Sequence, residues 1–272
     1  MPPQSRFWAD LTTRDFAQLD AASAVAVLPL GATEQHGPHL PLSVDHTLVD
    51  GVIQACLAQL PAEVPVLFLP TQQVGYSPEH SRFCGTLTLS SATVMATWIE
   101  IGECVALAGL KKLLLLNSHG GQVSLMDIVA RELRTHYDLL VYSCSWWNLP
   151  LGDAVNGLFS ADEHRFGVHA GEIETSMMLA LRAQHVRMSE ARDFSSASQE
   201  RAARYPILGN GTSAKLGWMM QDYNEQGAAG NAAAATAEKG QAVLAAAGLQ
   251  LSLLLQELSA LPPSTLVELP AS

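Results

Sequence analysis

Ala24-Val-Ala-Val-Leu-Pro-Leu30, closed by Gly31 and followed by Ala-Thr-Glu34-Gln-His36-Gly37, is the stretch on which the fold turns. A nearly continuous apolar run reads as a strand buried on both faces, as in a parallel sheet. If the chain stays extended past Gly31, Glu34 and His36 lie two residues apart and point to the same side, while Gln35 points away. Two donor groups then converge at the carboxyl end of a strand, where open α/β sheets place their ligands. Asp45 follows nearby. Lying two residues after Ser43, it also suits a helix N-terminus, where the dipole favours an acid.

A second segment repeats the pattern. Lys111-Lys-Leu-Leu-Leu-Leu-Asn117 reads as another buried strand, and Ser118-His119-Gly120-Gly121 turns into the helical spacing Val123, Met126, Val129, Leu133. His119 therefore also sits at a strand's carboxyl end. The glycines after it allow close approach of the backbone to a ligand, and a tight strand-to-helix turn would ask for the same residues. Glu34, His36, Asp45 and His119 together form a ligand set for one or two divalent metals.

A third cluster, His169-Ala-Gly171-Glu172-Ile-Glu174-Thr-Ser176, runs into apolar Met177-Met-Leu-Ala180 and reads as the start of a helix. In a helical turn His169 and Glu172, three apart, share a face. Glu174 is then about 200° round from Glu172 and faces elsewhere. Acids in a first turn also suit the helix dipole without any ligand.

These three motifs, in this order, resemble the creatininase (creatinine amidohydrolase) family over roughly residues 24 to 240. The resemblance implies a three-layer α/β/α sandwich with a mostly parallel central sheet, a homohexamer, and two divalent metal ions per chain. Zn and Mn lead the candidates, followed by Fe and Mg. Carried over to this chain, Glu34, Asp45 and His119 hold one metal; His36, the bridging Asp45 and Glu172 hold the other. His169, with Glu172, forms the catalytic pair. The implied chemistry is hydrolysis of a carbon–nitrogen bond by a hydroxide shared between the two ions, with His169 protonating the departing nitrogen. Orienting a ligand carboxylate is the alternative role for His169. Creatininases proper carry a glutamate two residues after the histidine of the second motif, where this chain has Gly121, which turns the expectation away from creatinine. The family's distal G-x-x-G-D-P appears here as Gly227-Ala-Ala-Gly230-Asn231-Ala232.

The expected substrate is therefore a small cyclic amide, lactam or formamide. The alternatives are trimming of a short peptide, or a metal-binding subunit without turnover. Tyr76-Ser-Pro-Glu-His80 and Cys84-Gly-Thr86 form a turn-rich loop between the strand expected at 65–70 and the helix expected at 92–110. His80 is the substrate-contact candidate in it. Trp146 and Trp147 follow a strand expected at 139–144 and suit stacking on a planar substrate, or core packing.

Composition sets the outer bounds. The chain has 272 residues, 48% of them hydrophobic, enough for a large core, and no linker-like stretch interrupts the motifs. One domain over 1–261 and a loose tail over 262–272 are expected. A net charge of −11, with 15 Lys and Arg and no basic run, argues against nucleic acid or an anionic membrane as partner. Cys56, Cys84, Cys104 and Cys144 lack Cys-x-x-Cys spacing, and no signal pattern opens the chain, so a cytoplasmic protein with reduced thiols is expected. The alanine-rich segment 232–261 places Leu244, Ala247, Leu251, Leu254 and Leu258 on one side of a surface or interface helix.

Overall fold

A computed structural model of the chain describes residues 4–267. The deciding run is strand β1 (Val25–Leu30), buried along its whole length. β2 (Val66–Phe68), β3 (Lys112–Asn117) and β4 (Leu140–Ser145) join it in a parallel sheet of order β2-β1-β3-β4. Leu30 pairs with Asn117 and Asn117 with Ser145, so β1, β3 and β4 end level with one another. The loops carrying Glu34, His119 and Trp146 thus leave the sheet along one edge, on neighbouring strands.

Alternate strand residues face opposite helical layers. Val25, Val27, Leu114 and Leu116 pack with the helices Val44–Leu57, Glu172–Arg182 and Ala237–Ala260. Ala26, Leu28, Leu30, Leu113 and Leu115 pack with Ser91–Leu107 and Val123–Tyr137. This is the expected α/β/α sandwich.

Element ends moved by a few residues, for local reasons. The Ser91–Leu107 helix stops short of the expected 110 because Gly109 takes φ +90°, a left-handed conformation that ends helices. The alanine-rich helix begins only at Ala237, where the Thr236 hydroxyl accepts from the Lys239 N–H. That helix has the expected apolar side: Leu244, Ala247, Leu251 and Leu258 are buried, while Leu249 and Leu253 are exposed. It is long and apolar enough to cross a membrane by length and composition, yet its Val243, Ala247, Leu251, Leu255 and Leu258 are buried in the core. Of the expected loose tail, Pro263–Thr265 forms a 3-10 turn, and residues 268–272 lie outside the described residues.

Candidate metal centre

The loop after β1 delivers Glu34 and His36, both fully buried. Its backbone is latched by the Glu34 N–H to the Leu42 carbonyl at 3.0 Å. Asp45 stands in the first turn of the Val44–Leu57 helix, and His119 follows β3. The Asn117 side chain holds that second turn, accepting from the His119 N–H at 3.0 Å and donating to the His119 carbonyl at 2.7 Å. The result is convergence. His119 Nδ1 is 3.2 Å from Glu34 Oε1 and 3.7 Å from Asp45 Oδ2, while His36 Nε2 is 3.5 Å from Asp45 Oδ1 and 4.0 Å from Glu174 Oε2. Asp45 directs one oxygen to each set.

Backbone carbonyls decide which ring nitrogens are free, because a carbonyl can only accept. His36 Nδ1 lies 3.0 Å from the Glu34 carbonyl, His119 Nε2 2.9 Å from that of Tyr76, and His169 Nε2 2.8 Å from that of Gln35. Each of these nitrogens carries the proton. The opposite nitrogen of each ring, His36 Nε2, His119 Nδ1 and His169 Nδ1, is left to face the centre with its lone pair, the arrangement typical of ligating imidazoles.

These donors fit divalent cations. Glu34 Oε1 and Oε2, His36 Nε2, Asp45 Oδ2 and Glu79 Oε1 are buried without a hydrogen-bond partner. Buried carboxylates are costly unless a cation satisfies them. Among the described residues no Lys or Arg pairs with them; the nearby ammonium of Lys239 is bound to Glu172. The sets Glu34/Asp45/His119 and His36/Asp45/Glu174 each bring their atoms within 4.8 Å of one another. Imidazole and carboxylate oxygen suit zinc and manganese alike.

The same carboxylates act on the imidazoles. Burial alone would push His36 and His119 down. Asp45, with Glu174 and Glu34, outweighs it for His36 and raises it to about 9; Glu34, with Asp45 and Glu79, raises His119 to about 10. Without metal both rings hold their second proton at neutral pH. Both folded values are raised, so this pairing stabilises the metal-free fold fully below a pH of about 6.5 and the contribution is lost as pH rises through about 9 to 10. Metal must displace those protons. Apparent affinity is expected to rise by roughly tenfold per pH unit between pH 6 and 8 for each ion that displaces one proton, with proton release measurable by calorimetry in two buffers.

A family model described as creatinine amidohydrolase matches residues 9–255. The chain belongs to the creatininase family. It is 31% identical over 244 residues to a mycofactocin precursor peptide peptidase of Mycobacterium tuberculosis, covering 87% of this chain and 86% of that protein. It is 32% identical over 196 residues to a creatinine amidohydrolase of Pseudomonas putida, covering 65% and 72%. The solved structure of a creatinine amidohydrolase superposes with a TM-score of 0.73 at 27% identity, over 94% of this chain and 98% of that one. Solved creatininases of zinc–zinc type and with manganese are likewise similar, at 27% and 26% identity, TM-scores of 0.75 and 0.74, and 93% and 98% of the two chains.

In this creatininase-family chain one expected ligand is displaced. Glu172 does not join the cluster: its carboxylate pairs with Lys239, whose ammonium lies 5.7 Å from the Phe159 ring. Glu174 joins instead. The turn assumed helical from His169 is not: Ala170 has φ +54°, Gly171 is extended, and the helix begins at Glu172. The three-residue helical spacing therefore does not apply. The Ala170 N–H donates to Glu174 Oε2 at 2.6 Å, fixing the carboxylate. Burial raises Glu174 to about 7 even against His36.

His169 lies over the centre, its ring 4.1 Å from that of His36, and burial with the neighbouring His36 and His80 holds it well below its ordinary value. It is a neutral imidazole with Nδ1 open. The distal loop supports it, since the Ala229 N–H donates to the His169 carbonyl at 2.8 Å; Gly227, at φ +78°, passes so close to Gln35 that a Cβ would overlap it. Gln35 itself does not point away: its amide nitrogen is 2.7 Å from His80 Nδ1. That amide donates, so His80 carries its proton on Nε2, 3.3 Å from Glu34 Oε1. Burial, with His36 and His119, pushes His80 down to about 2. At 1% exposure His80 is placed to hold Glu34 and has little surface for a substrate. Trp146 is buried and donates to the Ser118 hydroxyl at 3.1 Å; Trp147 stands edge-on to it and is 39% exposed.

Two buried carboxylates were not singled out from the sequence. Glu163 accepts from the N–H groups of Glu172 at 2.6 Å and Asn231 at 2.9 Å, anchoring the Glu172–Arg182 helix to the distal loop. Its spacing from Ser160, Ser-x-x-Glu, marks a helix start, and the Glu163 N–H donates to the Ser160 hydroxyl at 3.0 Å, but the carboxylate's partners lie elsewhere. Glu79 lies against His119, adjacent in sequence to the candidate His80.

Proposed function

We propose that this chain hydrolyses the C–N bond of a small amide, using two divalent ions, zinc or manganese. Glu34, Asp45 and His119 hold one ion and His36, Asp45 and Glu174 the other. The division of Asp45's two oxygens between His36 and His119 carries this reading. Ions bound there would acidify a water towards neutral pH and polarise a carbonyl. His169 then handles the proton. Its Nε2–H is committed to the Gln35 carbonyl, so Nδ1 accepts the proton from the attacking water. Burial favours the neutral ring, so a proton taken up at Nδ1 is passed on to the departing nitrogen.

A cavity of about 370 Å³ opens from Glu34, Asp45 and His119 between Trp146, Trp147, Leu151, Val155 and Phe159. Its apolar walls suit an uncharged ring or acyl group of a cyclic amide, lactam or formamide. Trp147→Ala is expected to raise KM roughly tenfold and leave kcat within about twofold, because it removes contact made equally by substrate and transition state. Steady-state kinetics on the best substrate check this. The cavity's size, and similarity to the peptidase over most of the chain, favour a second reading in which a short peptide is trimmed. A panel of lactams, formamides and short peptides, offered to purified protein of measured metal content, separates the two. Turnover of peptides alone selects the second reading; full metal content with no turnover of any class removes both.

A further inference from the structure

We propose that Glu79 is a positioning carboxylate of this centre, working through His119, and that the missing side chain at Gly121 is what admits it. The inference rests on the metal-centre reading above. Glu79 occupies the 3-10 turn Pro78–His80 and is 7% exposed. Its Oε1 has no hydrogen-bond partner. That oxygen lies 3.5 Å from His119 Nε2, the ring nitrogen whose proton is already directed to the Tyr76 carbonyl. A carboxylate oxygen of Glu79 also falls within 4.8 Å of a Glu34 oxygen and a His80 nitrogen.

A buried, unpartnered carboxylate is a cost to the fold unless a positive charge develops beside it. His119 is where that charge arises. When Nδ1 serves a cation, the N–H on the other side of the ring becomes a stronger donor, and a carboxylate there raises the basicity of the ligand and fixes the ring. Residue 121 decides whether there is room. A Cβ at Gly121 would overlap Glu79 Oε1 and stand 2.7 Å from His119 Nε2, whereas one at Gly120 would meet nothing within 4 Å. The first of the two glycines is free to vary sterically. The second makes the space that Glu79 fills.

The test is chelator-competition titration of Mn²⁺ and Zn²⁺ into the metal-free full chain, with thermal unfolding of the same metal-free samples. Glu79→Gln keeps the shape and removes the charge. It is expected to weaken one ion by about 10- to 100-fold and leave the other within about threefold, while the metal-free midpoint falls by no more than about 4 °C, since Glu79 is the smallest of the three carboxylate contributions that raise His119. Gly121→Ala should weaken the same ion, and should do so less in a Glu79→Ala background, where the obstructed oxygen is gone and only the crowding of His119 Nε2 remains. Wild-type affinities in Glu79→Gln overturn the proposal. So does a lowered metal-free midpoint with unchanged affinity, which would make Glu79 a packing residue, and so does an equal effect of Gly121→Ala with and without Glu79. Failure of the wild-type chain to take any divalent ion would instead overturn the metal-centre reading on which this one stands.

Discussion

Glu174→Gln is expected to reduce the metal content from the proposed two ions per chain to one and to bring hydrolysis down to background, while Glu172→Gln is expected to retain both ions. The expectation follows from what each carboxylate faces. Glu174 Oε2 approaches His36 Nε2 and is aimed by the Ala170 N–H; Glu172 is committed to Lys239. A neutral amide is a much poorer ligand than a carboxylate for a hard or borderline cation, so the His36 set loses its second anionic donor. The glutamine side-chain oxygen still accepts from Ala170, which keeps the turn in place and makes the comparison one of charge. Elemental analysis after reconstitution, with turnover measured on the same samples, reads both effects. Loss of an ion from the Glu172 variant, with both retained in the Glu174 variant, would return the ligand role to Glu172.

His169→Ala is expected to lower kcat by about 10² to 10⁴, the range for removal of a general acid or base, and to leave the proposed two ions bound. The ring's Nδ1 is 3.8 Å from Glu34 Oε1, close enough to serve a reacting group above that carboxylate. Glu34, His36 and His169 also form a compact donor group, so metal content is the discriminating readout. Loss of an ion along with activity would move His169 into the ligand shell. Retention of both ions and of full kcat would leave the departing nitrogen without an assigned acid.

How far the sequence could be read depended on whether a signal was local. β1 and β3 were legible because a strand buried on both faces must be apolar throughout, and their ends were marked by Gly31 and by Asn117-Ser-His119. Glu34, His36, Asp45 and His119 were legible for the same reason: each sits within a few residues of an element boundary that apolar periodicity reveals. Glu174 was missed because a single left-handed residue, Ala170, shifted the start of a helix, and helix starts read from sequence are the least secure feature. The contacts of the Glu79 and Glu163 carboxylates gave no signal because their partners are distant in sequence: Glu79 meets Gly121 and His119, and Glu163 meets Asn231.

By itself, then, the sequence determined the class of fold, the strands whose carboxyl ends carry the chemistry and the core of the ligand set, since apolar run length and donor spacing are properties of contiguous residues. Only the tertiary structure decided which glutamate faces His36 and Asp45, which nitrogen of each imidazole is free, and that Gln35 and His80 stand beside Glu34. These are decided by backbone carbonyls, a positive φ and side chains that arrive from other loops, and such contacts exist only once parallel strands have brought those loops to one edge of the sheet.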